Sequence, residues 1–349
     1  MSVVVERPAQ VAPSRRRSTS RLGAGLVLAL GVLAVVVFLS ITLGARGVDL
    51  GTIWAAFTAY DPDSAAHTVI RELRVPRTIL GLAVGASLGL GGAILQGATR
   101  NPLADPGIMG VNAGAAAFIV TGILVFGAMS LSTYVWLGFL GAGVATAVVY
   151  AVASIGREGA TPVKLALAGA AISAALYSVT TGVVLSDLGA LNELRFWQVG
   201  SLAGRYWGVV AQAVPFMAVA VLVALVCGRL LNGLALGEDL ATALGQRVRL
   251  TRTVLFVTVA VLCGAATAAC GPIVFIGLIV PHVARAICGP DYRWIMAYTA
   301  VLGPIVLLLA DVLGRVVTSP GELQVGVVLG VAGAPAFIAL VRLRNLAEL

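Results

Sequence analysis

The sequence predicts an all-α, polytopic membrane protein with about ten transmembrane helices and both termini in the cytoplasm. Three observations support that fold class. Apolar residues make up 59% of the 349 residues and charged residues only 11%. The mean hydropathy of +1.01 is too high for the surface of a soluble globular protein. Stretches free of Asp, Glu, Lys and Arg also recur at the length of roughly 20 residues that crosses a bilayer.

Taken in order, these stretches define the predicted spans. Single crossings are predicted for residues 22–45, 78–99, 165–186, 206–228, 294–310 and 323–341. Residues 106–156 carry no charge over about 75 Å of helix, and the polar break GAMSLST divides them into two spans. Residues 253–284 also give two spans, because the proline of the triplet CGP cannot continue a helix interior.

The basic residues determine the predicted orientation. With the N-terminus inside, 16 of the 23 Lys and Arg residues lie in the cytoplasm, as the positive-inside rule requires. Residues 1–21 then form a basic cytoplasmic tail, and residues 22–345 form one ten-helix domain. The net charge of +8 is explained by this bias and by attraction to anionic membrane lipid, and nucleic acid is not expected as a partner.

Motifs for catalysis are absent from the sequence. It contains no GxxxxGK[ST] phosphate-binding loop and no HExxH, and its two histidines, His67 and His282, belong to different segments. The four cysteines show no CxxC pattern and are expected to pack in the apolar spans. We therefore expect no enzyme activity, no metal site and no cofactor, and a chain that forms a path across a membrane.

An intramembrane acid could couple such a path to an ion gradient. Asp311, at the outer end of the ninth predicted span, is the main acidic residue near the apolar interior, and Arg315 follows four residues later on the same helical face. That spacing favours a local ion pair. The alternative is an ion-coupled secondary carrier that uses Asp311.

A compact polar stretch, LNGLALGEDLATALGQRVRLTR, separates two of the apolar spans at residues 231–252. Its helix formers, its acidic pair and its bounding glycines predict one or two short helices at the cytoplasmic surface, and such helices can seat in a groove on a partner. The alternative is a helix lying on lipid, which usually has a basic polar face.

Four motifs carry a family resemblance. They are RVPRTILGLAVGASLGLGGAILQGATRNPLADPGIMGVNAGAA (74–116), LNGLALGEDLATALG (231–245), GPIVFIGLIVPHVAR (271–285) and ADVLGRVVTSPGELQVGVVLGVAGAPAF (310–337). In these motifs the chain resembles the FecCD-type permease subunits of ABC importers for iron-siderophores, haem and cobalamin.

The resemblance implies a cell-membrane permease that pairs with a copy or a related permease. It also implies two cytoplasmic ATPase subunits and an extracytoplasmic substrate-binding protein as partners. Ferric siderophore is the favoured substrate, with haem or cobalamin as alternatives. Residues 231–248 would be the coupling loop, and the residues expected to touch the ATPase are Gly237, Glu238, Asp239, Ala241 and Leu244.

The resemblance also assigns residues to docking and to the pathway. Arg74, Arg77 and Arg315, predicted to be exposed outside, would receive acidic residues of the binding protein through charge-assisted hydrogen bonds. Their alternative role is to cap helix ends or bind lipid headgroups. Gly159, Ala160 and Thr161 are candidates for the inner gate. The fifth and tenth spans would line the pore, where polar side chains could equally pack helices: Ser173, Tyr177, Ser178, Thr180, Thr181 and Gln324.

Overall fold

A computed structural model describes residues 18–44, 47–127, 130–156 and 160–343, and every regular element within them is helical. Seven helices are long and apolar enough to cross a membrane, and shorter apolar helices lie at Val111–Phe126, Ile276–Cys288 and Val325–Ala339. These elements coincide with the predicted spans. The prediction of an all-helical, multi-pass membrane protein is confirmed, while residues 1–17 of the predicted basic tail lie outside the described residues.

The helices are numbered here in chain order. Their bounds are α1 Thr19–Thr42, α2 Leu50–Thr58, α3 Ala65–Thr68, α4 Val75–Thr99, α5 Val111–Phe126, α6 Leu131–Ala153, α7 Pro162–Ser186, α8 Leu188–Gln198, α9 Trp207–Ala235, α10 Glu238–Ala243, α11 Val248–Cys270, α12 Ile276–Cys288, α13 Tyr292–Val317 and α14 Val325–Leu343. A π-helical turn, Val69–Arg74, joins α3 to α4, and a 3₁₀ turn, Pro106–Met109, precedes α5.

Helix α4 is the central helix of the bundle and packs against α13, α9, α11 and α12. Its glycines at intervals of four predict that another backbone approaches closely. A methyl group on Gly85 would lie 2.6 Å from the Cα atom of Pro304 in α13, and one on Gly89 would lie 3.0 Å from the side chain of Thr299. The predicted close packing is confirmed, and its main partner is α13.

The predicted break between α11 and α12 is also confirmed. Helix α11 ends at Cys270, Gly271 has φ of 76°, and Phe275 has φ of 70° just before α12 begins. Positive φ is favourable for glycine and costs energy for phenylalanine, so the tertiary packing must impose it at Phe275. Helix α12 has 13 residues and is about 20 Å long, which is shorter than the hydrocarbon core of roughly 30 Å.

The connection from α4 to α5 is a tight turn in which polar side chains bond to the backbone. The Asn101 side chain accepts a hydrogen bond from the Leu103 amide at 2.9 Å, and Asp105 accepts one from the Gly107 amide at 2.8 Å. The Asn112 side-chain oxygen, in contrast, accepts a hydrogen bond from the Thr267 hydroxyl of α11 at 3.2 Å.

Candidate functional site

Two polar regions lie at opposite ends of α13. The arginine cluster consists of Arg74, Arg77, Asp311, Arg315 and Glu322, near the C-terminal end of that helix. The loop segment, residues 231–248, meets the N-terminal end of α13 through Asn232. Each region contains residues that the sequence singles out.

Arg77 and Asp311 form the centre of the arginine cluster. The Nε and Nη2 atoms of Arg77 donate to both carboxylate oxygens of Asp311 at 2.8 to 3.1 Å, and Nη1 donates to Glu322 at 2.7 Å. Arg315 approaches the same Asp311 carboxylate at 3.2 Å. The Asp311 side chain is fully buried, so both arginines balance its charge inside the protein.

The other hydrogen bonds of the cluster go to the end of α1. Arg74 donates to the carbonyl oxygens of Ile41 and Thr42 at 2.9 and 2.7 Å, and Arg315 donates to those of Ser40 and Leu43 at 3.0 and 2.9 Å. The last carbonyls of a helix lack partners within the helix and carry its negative dipole end. The two guanidinium groups therefore satisfy and stabilise the C-terminus of α1.

This geometry tests two expectations about the arginines. The Asp311–Arg315 ion pair is confirmed. The expectation that Arg74, Arg77 and Arg315 are exposed is wrong, because their exposed fractions are 6%, 9% and 2%. A buried arginine needs partners for its charge and its donors, and Asp311 and the α1 carbonyls supply them. That acidic residues of a binding protein reach these three arginines stays a prediction.

Arg205, which the sequence analysis did not single out, lies beside two cavities at the cluster. A cavity of 300 Å³ is lined by Arg74, Arg77, Arg205, Arg315 and Glu322, and one of 520 Å³ is lined by Arg77, Glu193, Arg205 and Glu322 among others. Its Nε atom is buried and has no hydrogen-bond partner within the described ranges. Burial lowers the pKa of this guanidinium. A cationic side chain that lines two cavities can pair with an anionic group.

The loop segment contains one short helix, α10, between two glycines with positive φ. Gly237 has φ of 107° and Gly245 has φ of 82°. Glu238, at the start of α10, pairs with Arg252 of α11 and lies 3.8 Å from Arg100 at the end of α4. Two salt bridges to other helices hold this end of α10 in place.

The residues expected to touch an ATPase differ in how far their side chains are exposed to solvent. Asp239 and Leu244 are exposed, and Glu238 is partly exposed. Ala241 is fully buried, so its side chain lies beneath the surface and supports it. Leu236, Leu240 and Leu244 are 58%, 57% and 70% exposed at intervals of four residues. Leu236 and Leu240 are absent from the predicted contacts, although the helical spacing of the three leucines is a signal that could have identified them.

Buried polar contacts connect the loop segment to its neighbours. The Gln246 side chain donates to the Leu230 carbonyl at 3.0 Å. Asn232 donates to the Asp291 carboxylate at 2.7 Å and accepts the Tyr292 amide at 2.8 Å, at the first turn of α13. Hydrogen bonds from Arg293, and then from Asn232, lower the pKa of Asp291 to about 2, so it stays ionised at neutral pH.

The gate candidates lie at the start of α7. Thr161 is its N-cap and accepts the Lys164 amide at 3.4 Å, and Ala160 is buried. Gly159 lies outside the described residues. The hydroxyls of Ser178, Thr180 and Thr181 donate to carbonyls of their own helix four residues earlier. These donors are satisfied within α7, and both the pore-lining role and the helix-packing alternative stay predictions.

Comparison with known proteins shows the family of this chain. The family model described as the FecCD transport family matches residues 32–343. The chain belongs to this family. It is 44% identical to the ferric enterobactin transport system permease protein FepD of Escherichia coli, over 91% of this chain and 94% of that protein. It is 41% identical to the probable siderophore transport system permease protein YfiZ of Bacillus subtilis, over 91% of this chain and 95% of the relative.

A solved structure, described as an inward-facing conformation of a metal-chelate type ABC transporter, has the same fold. It has a TM-score of 0.81 and 27% identity, and covers 92% of this chain and 100% of its own. The resemblance seen in the sequence motifs is confirmed, and this FecCD chain is a multi-pass membrane permease.

Proposed function

We propose that this FecCD chain is the membrane-spanning subunit of an ATP-driven importer that carries ferric siderophores across the cell membrane. The exposed leucines of the loop segment carry the proposal. Leu240 lies in α10, and Leu236 and Leu244 flank it, so they expose apolar side chains at a short helix whose first residue salt bridges fix to the bundle. Such an apolar surface suits a groove on a partner. Similarity to permeases named for siderophores supports the choice of substrate.

The state of Asp311 favours an external energy source over an ion-coupled carrier. A coupling acid must gain and lose a proton or ion during transport. Asp311 is fully buried and bonded to Arg77 and Arg315, so neutralising it would remove the buried anion that both cations share. An ATPase bound at the loop segment would supply the energy for transport without any change in the charge of Asp311. We therefore assign ATP hydrolysis to two separate cytoplasmic subunits and a second permease, copy or paralogue, to the other half of the path.

Changing the exposed leucines tests this assignment. We expect Leu240→Glu with Leu244→Glu to remove the ATPase from the complex, because two charges replace the apolar face while the buried residues stay unchanged. The tagged chain is purified from native membranes in mild detergent, and its partners are identified by mass spectrometry. Leu50→Glu is the matched control, since Leu50 is 63% exposed in α2, outside the loop segment.

The outcomes separate the candidate functions. Loss of the ATPase from the double variant alone supports the importer. Equal recovery of the ATPase with wild type, with the double variant and with the Leu50→Glu control would place the docking surface elsewhere. A wild-type chain that binds no ATPase, yet takes up substrate in response to a proton or sodium gradient, would establish the carrier instead.

Docking of an acidic binding-protein residue is proposed at the 300 Å³ cavity of the arginine cluster. Arg205 lines this cavity and forms no ion pair within the described residues, while Arg77 is already bonded to Asp311 and Glu322. We expect Arg205→Gln to weaken association with the binding protein in a pull-down and to leave the ATPase bound. Arg195→Gln, in α8, is the control. Unchanged association of Arg205→Gln would exclude this donor.

A further inference from the structure

The faces of α9 and α11 enclose an apolar groove on the surface of the bundle. Its volume is 660 Å³, and its walls include Phe216, Val219 and Val223 of α9 with Val254, Val257 and Val261 of α11. Val219 is 63% exposed and Val257 is 56% exposed. The groove is not part of the arginine cluster or of the loop segment.

The groove is preformed and offers no hydrogen bonds to an occupant. Phe216 is held against Trp136 and Phe139 of α6, with ring centroids 5.6 and 5.4 Å apart. Two threonines lie on the α11 wall. Thr258 donates its hydroxyl to the Val254 carbonyl at 2.8 Å, and Thr253 donates to the Arg249 carbonyl at 3.1 Å. An apolar occupant therefore leaves none of these groups unsatisfied.

Positive charge lies at one end of the groove. Arg249 is one helical turn before Thr253, at the start of α11 and on the same helical face. It is exposed and has no ion pair within the part of the chain that the structure describes. Arg252, in contrast, is paired with Glu238.

The length of the α11 segment along the groove is close to the thickness of one leaflet of a bilayer. From Arg249 to Val261 is 12 residues, about 18 Å of helix, which compares with about 15 Å for half of the hydrocarbon core. In the predicted orientation this end of α11 faces the cytoplasm, where anionic lipids concentrate. A lipid with its headgroup at Arg249 would place an acyl chain along the groove.

We propose that the α9–α11 groove binds the acyl chain of an anionic phospholipid whose headgroup pairs with Arg249. Shape and apolar lining select the chain, and the guanidinium group of Arg249 selects the charge of the headgroup. The site thus differs from general contact with the bilayer, which has no preference for one lipid charge at one position.

Native mass spectrometry of the full chain tests the site. The chain is released from detergent in the presence of phosphatidylglycerol or of phosphatidylcholine with the same acyl chains. Wild type is expected to retain more phosphatidylglycerol, and Arg249→Gln is expected to lower that preference about fivefold. Val257→Trp, which fills the groove, should reduce retention of both lipids. Arg342→Gln and Val27→Trp are controls on α14 and α1, at an exposed arginine and an exposed valine outside the groove.

Three results would overturn the proposal. The first is equal retention of the two lipids by wild type. The second is an unchanged preference in Arg249→Gln, a surface substitution that leaves the core intact. Retention that Val257→Trp does not change would place the lipid outside this groove and would equally overturn it.

Discussion

Asp311 is the residue on which the arginine cluster depends. Its carboxylate is fully buried and contacts the guanidinium groups of Arg77 and Arg315. Moving these charges out of water costs several kcal/mol per ion, and their mutual contacts offset that cost only while all partners are present. Removing the one central anion is therefore more damaging than removing an ion pair at the surface.

We expect Asp311→Asn to lower the free energy of unfolding by about 3–5 kcal/mol, because it removes the buried anion that Arg77 and Arg315 share and leaves Arg315 without its ion-pair partner. Thermal and denaturant unfolding of the purified chain in detergent measures the change. Asp63→Asn is the control, since Asp63 is exposed in the loop before α3. A loss below about 1 kcal/mol, the value of a surface pair, would show that water reaches the cluster.

The sequence could predict only one contact of this cluster, the ion pair between Asp311 and Arg315, which are close together in the chain. Arg315 follows Asp311 by one helical turn, so helical periodicity alone brings them together. Arg77 is 234 residues from Asp311, and Ser40 is 275 residues from Arg315. Such contacts depend on how α1, α4 and α13 pack, which the local pattern does not contain. For the same reason the arginines were expected at the surface.

At the scale of elements, glycine spacing predicted that one face of α4 packs closely, and the structure identifies α13 as its partner. The closest approach is between backbones: Gly85 of α4 meets Gly303 and Pro304. Because no flexible side chain lies between them, the helices must separate if a side chain is added to Gly85.

Gly85→Ala should therefore destabilise the chain by about 1–3 kcal/mol through overpacking, although alanine is the better helix former. Gly143→Ala in α6 is the matched control, because nothing lies within 4 Å of its added methyl group. Its stability should stay unchanged or rise by about 1 kcal/mol. Melting temperatures of both variants in the same detergent give the comparison, and equal behaviour would contradict the backbone contact.

Helix boundaries were predicted less well than helix positions. Charge-free stretches end at the first arginine or acid, whereas α9 and α13 continue to Ala235 and Val317. A helix need not end where the hydrocarbon ends, because charged side chains at its tips can reach water or pair with one another. The short helices α2 and α8 were not predicted, since they are too short to give a transmembrane signal.

At the scale of the whole molecule, α13 connects the two polar regions. It has 26 residues and is about 39 Å long. Its first turn is bonded to Asn232 beside the loop segment, and Asp311 and Arg315 lie in its last two turns. Along its length it packs on α4 through the glycine contacts. A movement of the loop segment could reach the arginine cluster through this one helix.

The Asn232 side chain is the contact through which we expect that coupling to act. Asn232→Ala removes two hydrogen bonds, to Asp291 and to the Tyr292 amide, and leaves the exposed leucines of the loop segment unchanged. We expect the ATPase to bind the variant normally and to hydrolyse ATP, while siderophore uptake per ATP falls severalfold. The measurement is uptake of a labelled ferric siderophore, together with ATP hydrolysis, in proteoliposomes that contain the assembled transporter and its binding protein.

Asn192→Ala, at an exposed asparagine of α8, is the control and should keep the wild-type ratio of uptake to hydrolysis. If Asn232→Ala lowers uptake and hydrolysis in the same proportion, the contact affects ATPase assembly or overall stability and does not transmit movement. If uptake and hydrolysis both stay at the wild-type level, the connection between the loop segment and α13 has no part in transport, and the force must pass through another helix that meets the loop segment. The Arg252–Glu238 pair makes α11 the first alternative to α13.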